Sequence, residues 1–268
     1  MRSMAIPDTD LGGYDFAHDS LVLGRRKLAY VLPPREKRGA PTPILILLHP
    51  FAGNRTSWLR HAPDLLADLA RDTLVAMPEC GRKWFIDDHA GTRYETYVTD
   101  ELLPLLRTEY GADGPVTVGG FSAGGAAAIF LALRHPVLFS SALAVAGAFT
   151  AGNREGDPYR HVRSDDMMIP TESEHDRVWG PPRSATRATY DPAALVAALP
   201  KGGPRPRFHL EVGTEDFPRM IAASETVAAL FETAGIPFAF SRRSGDHTWA
   251  YAAPAMARLV AEWRAARP

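Results

Sequence analysis

A serine framed by glycines, Gly120-Phe121-Ser122-Ala123-Gly124, sits between two runs of contrasting character. Val116, Thr117 and Val118 precede it and read as a short buried strand, and Ala126 to Arg134 follows it as a buried helix. On such a strand-to-helix turn the central serine of a G-x-S-x-G is held in strained backbone geometry, so its neighbours must be very small. The turn exposes the hydroxyl at the end of the sheet, above a helix N-terminus whose free N–H groups can stabilise an oxyanion. The chemistry on offer is nucleophilic attack on an acyl carbonyl. A glycine-rich turn that only packs strand on helix would carry the same letters, so the residues that could activate the hydroxyl decide between the two.

A serine hydroxyl is a poor nucleophile at neutral pH. It needs a base within hydrogen-bond reach, and that base needs an orienting carboxylate. In a fold of this kind the partners follow in the order serine, acid, histidine, each on a loop after a later strand. Of the nine histidines, His18, His49, His61, His89 and His135 precede or closely follow the serine and do not fit that order. His161 and His175 lie in an irregular stretch, and His209 lies inside a strand. His247 remains, on the Ser244-Gly-Asp-His-Thr-Trp249 loop between the last strand and the last helix.

The acid is expected after the preceding strand, where Phe208-His-Leu-Glu-Val-Gly-Thr-Glu-Asp-Phe217 offers Glu215 and Asp216. Asp216 is the first choice and Glu215 the second. Asp246 is too near His247 in the chain to reach the imidazole Nδ1 well, and is expected to shape the turn. Asp191, before Pro192, reads as a helix N-cap. Two backbone donors complete the set: the N–H of Ala123, and that of Phe51 in Leu48-His-Pro-Phe-Ala-Gly-Asn54. Pro50 has no N–H to offer, and His49 is expected to hold this loop through local hydrogen bonds. Chemistry of this type requires no metal and no organic cofactor.

The elements needed to position these groups follow one another along the chain. Leu21–Leu32 suggests a strand pair turning near Gly24, and Ile44–Leu48 and Thr73–Met77 suggest buried strands. Strands are further expected at 116–119, 141–146, 208–212 and 237–240. Helices are expected at 58–70, 94–110 (despite Pro104), 123–135, 220–234 and 249–266. Strands alternating with helices predict an α/β protein with a mostly parallel sheet of about eight strands and helices on both faces. Residues 148–190 are rich in Asp, Arg, Pro, Gly and Ser and break the rhythm. Leaving a strand's C-terminal end, they are expected to form an irregular cap within a single domain spanning 1–268.

Composition narrows the setting. The chain of 268 residues is 46% hydrophobic with a net charge of −1. It can bury one large core, and its mixed charges suggest neither a nucleic-acid nor an anionic-membrane partner. No run of 18 apolar residues occurs, and the first ten residues lack the apolar stretch of a signal peptide. With Cys80 as the one cysteine, no internal disulfide can form, and a cytoplasmic setting is expected. Composition says nothing about oligomeric state.

The motifs together resemble a known family. Leu47-Leu-His-Pro-Phe-Ala-Gly-Asn-Arg-Thr-Ser-Trp58, Met77-Pro-Glu-Cys-Gly-Arg-Lys-Trp84 and Tyr94-Glu-Thr-Tyr-Val-Thr-Asp-Glu-Leu-Leu-Pro104 are similar to segments of the esterase D-like branch of the α/β-hydrolase superfamily. That branch includes S-formylglutathione hydrolases, tributyrin-type esterases, feruloyl esterases and mycolyltransferases. The likeness covers roughly residues 20–265 and extends to the nucleophile, acid and histidine segments. Two positions depart from the pattern: Pro50 replaces the glycine that usually follows the histidine, and Cys80 stands in the glycine-rich segment after Pro78. A thiol at Cys80 could line a pocket, but no base is placed beside it to make it a nucleophile.

The resemblance implies an α/β-hydrolase fold and a serine hydrolase acting on a small-molecule carboxylic ester. Ser122 would attack, His247 would carry the proton and Asp216 would orient the ring. An acyltransferase or thioesterase using the same residues is the alternative, and a catalytically silent ligand-binding protein a more distant one. Trp84, Phe149, Trp179 and Trp249 could wall the pocket, as could Phe51 and Phe85, although each would serve equally as a core residue. Arg82 and Lys83 are expected on a solvated loop.

Overall fold

The computed structural model describes residues 11–36, 41–153, 170–200 and 202–266. Eight strands build one sheet: β1 (Tyr14–Ser20), β2 (Arg25–Leu32), β3 (Ile44–Leu48), β4 (Leu74–Pro78), β5 (Val116–Phe121), β6 (Ser141–Val145), β7 (Arg207–Gly213) and β8 (Phe238–Arg243). Their order across the sheet is β1-β2-β4-β3-β5-β6-β7-β8. The pairs formed by β1, β2 and β4 run antiparallel, and all remaining pairs run parallel. Every residue of β3, β4, β5 and β6 is buried. Continuous apolar runs behave this way when helices cover both faces of a parallel sheet.

The helices are α1 (Ser57–His61), α2 (Pro63–Leu69), α3 (Tyr94–Thr96), α4 (Leu103–Tyr110), α5 (Ala123–Arg134), α6 (Glu172–Trp179), α7 (Ala185–Thr189), α8 (Pro192–Ala198), α9 (Pro218–Thr233) and α10 (Trp249–Ala265). Right-handed crossovers place a helix on one face or the other according to the direction in which the chain steps across the sheet. Thus α8 touches both α5 and α9, while α10 meets α1. Helix α5 carries a run of alanines because it is buried along almost its whole length. Ala126, Ala127, Ala128 and Ala132 are each 0% exposed. Their small side chains let the helix lie close to β5 and β6.

Several boundaries differ from expectation, each for a local reason. The first arm of the hairpin is Tyr14–Ser20, and Leu21 to Gly24 form the turn. As an edge strand with one wet face, β1 lacks the apolar run that marks its neighbours, whereas the apolar Leu21 stands 92% exposed. Helix 58–70 divides at Ala62, where φ is −141°. Pro63 disfavours helical backbone in the residue before it. Between α3 and α4 the chain widens into a π-turn at Tyr97–Leu102, immediately before Pro104, which has no N–H to return to the preceding turn. Within 148–190, α6 and α7 are helical where irregular chain was expected. Thr171 and Glu174 form a reciprocal capping box on α6, and Ser184 caps α7. Residues 154–169 of that stretch, His161 included, lie outside the described residues.

Candidate active site

The four parallel strands β3, β5, β7 and β8 deliver their following loops to one edge of the sheet, the edge where α/β folds place ligands. Ser122 follows β5 and sits at φ 56°, ψ −115°. Such backbone costs on the order of 1–3 kcal/mol and persists only where its surroundings impose it. Here the surroundings are backbone on all sides. A Cβ at Gly120 would lie 2.4 Å from the Gly124 carbonyl carbon, and one at Gly124 would lie 2.6 Å from the oxygens of both His49 and Leu48. The Ser122 N–H still donates to Val145 O at 2.9 Å, so the strained residue stays stitched to the sheet.

His247 Nε2 lies 2.9 Å from Ser122 Oγ, and His247 Nδ1 lies 2.9 Å from both carboxylate oxygens of Asp216. The Asp216 side chain is 0% exposed and that of His247 17%. The Asp216 carboxylate also accepts the Phe217 N–H at 2.6 Å, which holds it in place. A carboxylate on Nδ1 makes that nitrogen the donor, leaving Nε2 a lone pair aimed at the serine hydroxyl. Glu215, the second candidate acid, points elsewhere. It receives the Gly245 N–H and the Ser244 hydroxyl, tying the acid loop to the histidine loop. Asp246 accepts the Thr248 hydroxyl at 2.6 Å and shapes the turn, as expected.

Phe51 and Ala123 both line the cavity beside Ser122. Among the described residues, neither backbone N–H has an acceptor within the protein. Ala123 opens α5, where a free N–H is the rule. The loop carrying Phe51 is braced by His49, which is 1% exposed. Its Nδ1–H donates to Pro50 O at 2.7 Å and its Nε2 accepts the Cys80 N–H at 3.0 Å. With both nitrogens committed, the ring must be neutral, and burial lowers its pKa to about 4. Cys80 is buried, its thiol donates to Lys83 O at 3.0 Å, and burial pushes that thiol well up. It does not line the cavity.

The cavity measures about 540 Å³ and its walls are mostly apolar. Of the four candidate wall residues, Trp84 and Trp249 line it. Phe149 and Trp179 do not. The Phe149 ring fills the space over Gly147, and Trp179 packs edge-on behind Trp84 with ring centroids 5.1 Å apart. Phe85 is likewise buried, 5.0 Å from the His49 ring. Arg82 and Lys83 are also placed differently from expectation: Arg82 grips Glu174 of α6 and Lys83 reaches Asp88 at 3.1 Å. No group of three or more His, Cys, Asp or Glu residues suited to a metal ion occurs among the described residues.

Residues 20–263 match the model of the Esterase family, described as "Putative esterase". This chain belongs to the Esterase family. An acetyl esterase from Caldicellulosiruptor saccharolyticus is 24% identical over 216 residues, covering 76% of this esterase and 77% of that protein. Among solved structures, the fluorophosphonate-binding serine hydrolase F of Staphylococcus aureus superposes with a TM-score of 0.78 at 19% identity, over 93% of this chain and 97% of that one. An S-formylglutathione hydrolase from Agrobacterium tumefaciens gives a TM-score of 0.72 at 21% identity, over 97% of each chain. The sheet order of this esterase and these superpositions make the fold that of an α/β hydrolase.

Some cavity residues of the esterase were not singled out in the sequence. Phe121 and Phe217 pack against the His247 ring at 4.8 and 5.3 Å. Both adjoin a catalytic candidate in the chain, one before the serine and one after the acid, and that adjacency was the available signal. His61 stacks on Trp249 with centroids 4.6 Å apart. His61, Thr150, His175, Arg219 and Met220 reach the cavity through tertiary folding alone. Among the described residues, no helix is long and apolar enough to cross a membrane.

Proposed function

We propose that the protein is a serine carboxylesterase working through an acyl-enzyme on Ser122. The observation that carries this reading is the continuous hydrogen-bonded line from Asp216 through His247 to Ser122, with both links at 2.9 Å. Ser122 Oγ attacks the ester carbonyl as its proton passes to His247 Nε2. The carbonyl π pair moves onto oxygen, where the N–H groups of Phe51 and Ala123 receive it. Collapse expels the alcohol with the proton from His247, and water repeats the sequence to release the acid. Asp216 holds the ring and stabilises the imidazolium without taking its proton. The acetyl esterase relative supports a small acyl group, and Ala148, Thr150, Ala151, Pro170 and His175 line the cavity that would receive it.

The test is turnover of p-nitrophenyl acetate with analysis of products in the presence of a competing alcohol. Free acetate as the main product, lost in Ser122→Ala, is the expected result. Acetyl transfer to the alcohol in preference to water would overturn hydrolysis as the activity.

A further inference from the structure

The loop that carries Phe51 is fastened to the loop after β4 at three points. His49 accepts the Cys80 N–H at 3.0 Å, and the Ala52 N–H donates to Gly81 O at 3.1 Å. The third is a side chain: the Arg82 guanidinium carbon stands 4.8 Å from the centre of the Phe51 ring. That guanidinium is itself gripped by Glu174, with Nε–Oε1 at 2.5 Å and Nη2–Oε2 at 2.8 Å. Arg82 pulls the Glu174 carboxyl down to about 2. A two-point fork fixes the plane of the guanidinium as well as its position, which a single surface contact does not do. Glu174 lies in the first turn of α6 and also closes that helix's capping box with Thr171. The neighbouring His175 lines the cavity.

We infer that Arg82 is a positioning residue for Phe51. Held flat by Glu174, it fixes the Phe51 ring and so aims the Phe51 N–H at the forming oxyanion. The seating of α6 is then transmitted to the reaction as transition-state stabilisation, not as substrate affinity. This rests on the proposed role of Phe51 as an oxyanion donor. A bland role for the same contact would be to anchor α6 to the body of the protein, and the two make different kinetic demands.

The experiment uses the full chain with Arg82→Met, Glu174→Gln and both together. Methionine keeps an unbranched stem over Phe51 but loses the fork, and glutamine keeps the capping box while removing the charge. Four quantities are read: kcat and KM for p-nitrophenyl acetate, inhibition by an aryl trifluoromethyl ketone, and the thermal midpoint. The ketone takes Ser122 Oγ at its carbonyl carbon, moves the π pair onto oxygen and sends the serine proton to His247, so its affinity reports the oxyanion site. Expected are kcat losses of about tenfold for Arg82→Met and about threefold for Glu174→Gln. KM should hold, and ketone affinity should fall by matching factors. The double variant should be no worse than Arg82→Met. Unchanged kcat and ketone affinity, or a loss confined to KM or to the thermal midpoint, would overturn the inference. Should Arg82→Met fail to fold, Glu174→Gln decides alone. A wild-type protein inert to both ester and ketone would instead overturn the proposed function, and this inference with it.

Discussion

Glu215 and Gly245 bind each other twice: the Glu215 N–H donates to Gly245 O at 2.9 Å, and the Gly245 N–H donates back to the Glu215 carboxylate. With the Thr214 N–H on Arg243 O at 2.8 Å, this pairing joins the loop of Asp216 to the loop of His247. Two residues adjacent in sequence therefore divide one task, Asp216 orienting the imidazole and Glu215 holding the loop that bears it. Glu215→Ala is expected to lower kcat about tenfold by loosening His247. Asp216→Asn should cost on the order of 10⁴-fold, because it reverses the hydrogen bond that sets the tautomer. Steady-state kinetics of the two variants check the order, and a larger loss from Glu215 would exchange their roles.

The elbow tolerates no side chain beyond those it has. A Cβ at Gly120 or Gly124 meets backbone within 2.6 Å, and backbone cannot rotate aside as a side chain can. Gly120→Ala and Gly124→Ala should each destabilise the fold by about 3 kcal/mol or more, the upper range of overpacking. Gly24 and Gly111, at φ 62° and 59°, have open space around a would-be Cβ. Alanine there should cost only about 1 kcal/mol of backbone strain. Urea midpoints of the four variants separate the groups.

His49 gives the fold a defined acid sensitivity. Its pKa is near 4 in the folded protein against 6.5 when exposed, so between those values the unfolded chain binds the extra proton. Stability contributed by neutral His49 is complete above about pH 6.5 and falls as the pH drops toward 4. The loss is about 3 kcal/mol across the window. His49→Gln removes the titrating group, so the difference in unfolding free energy between wild type and variant should shrink as the pH is lowered from 7 to 4. A constant difference would show that His49 does not titrate as assigned.

Trp249 and Trp179 should respond in opposite ways. Trp249 lines the cavity, so Trp249→Ala should raise KM about tenfold through lost apolar contact. Trp179 is 1% exposed, and its indole N–H lacks a partner among the described residues. Trp179→Phe removes an unpaired donor but leaves a small void, two effects of similar size and opposite sign. It should leave kcat/KM unchanged and move the thermal midpoint little. Parallel kinetic and melting measurements on the two variants test the assignment.

The chemistry was more legible in the sequence than the walls around it. Ser122 and Asp216 stood out as candidates because each follows a largely buried strand, and His247 because it follows the short Phe238-Ala-Phe240 run in the order that the fold dictates. Ala123 and Phe51 followed from the elbow and from the missing N–H of Pro50. The pocket was only half legible, since Trp84, Phe149, Trp179 and Trp249 are all large apolar residues near loops. Which of them faces a cavity depends on neighbours such as Gly147 and Trp84 that only tertiary packing supplies. Arg82 carried no signal of its own, because its partner Glu174 lies 92 residues away. Within residues 148–190, Thr171 and Glu174 spelled out a helix start that the surrounding polar composition obscured.

The central claim is that Ser122 is the nucleophile, and covalent labelling tests it most directly. The wild-type protein is treated with a fluorophosphonate, digested and mapped by mass spectrometry beside Ser122→Ala. The account requires one phosphonyl adduct, on the peptide containing Ser122, and none in the variant. An adduct at another residue, or undiminished labelling of Ser122→Ala, would contradict it.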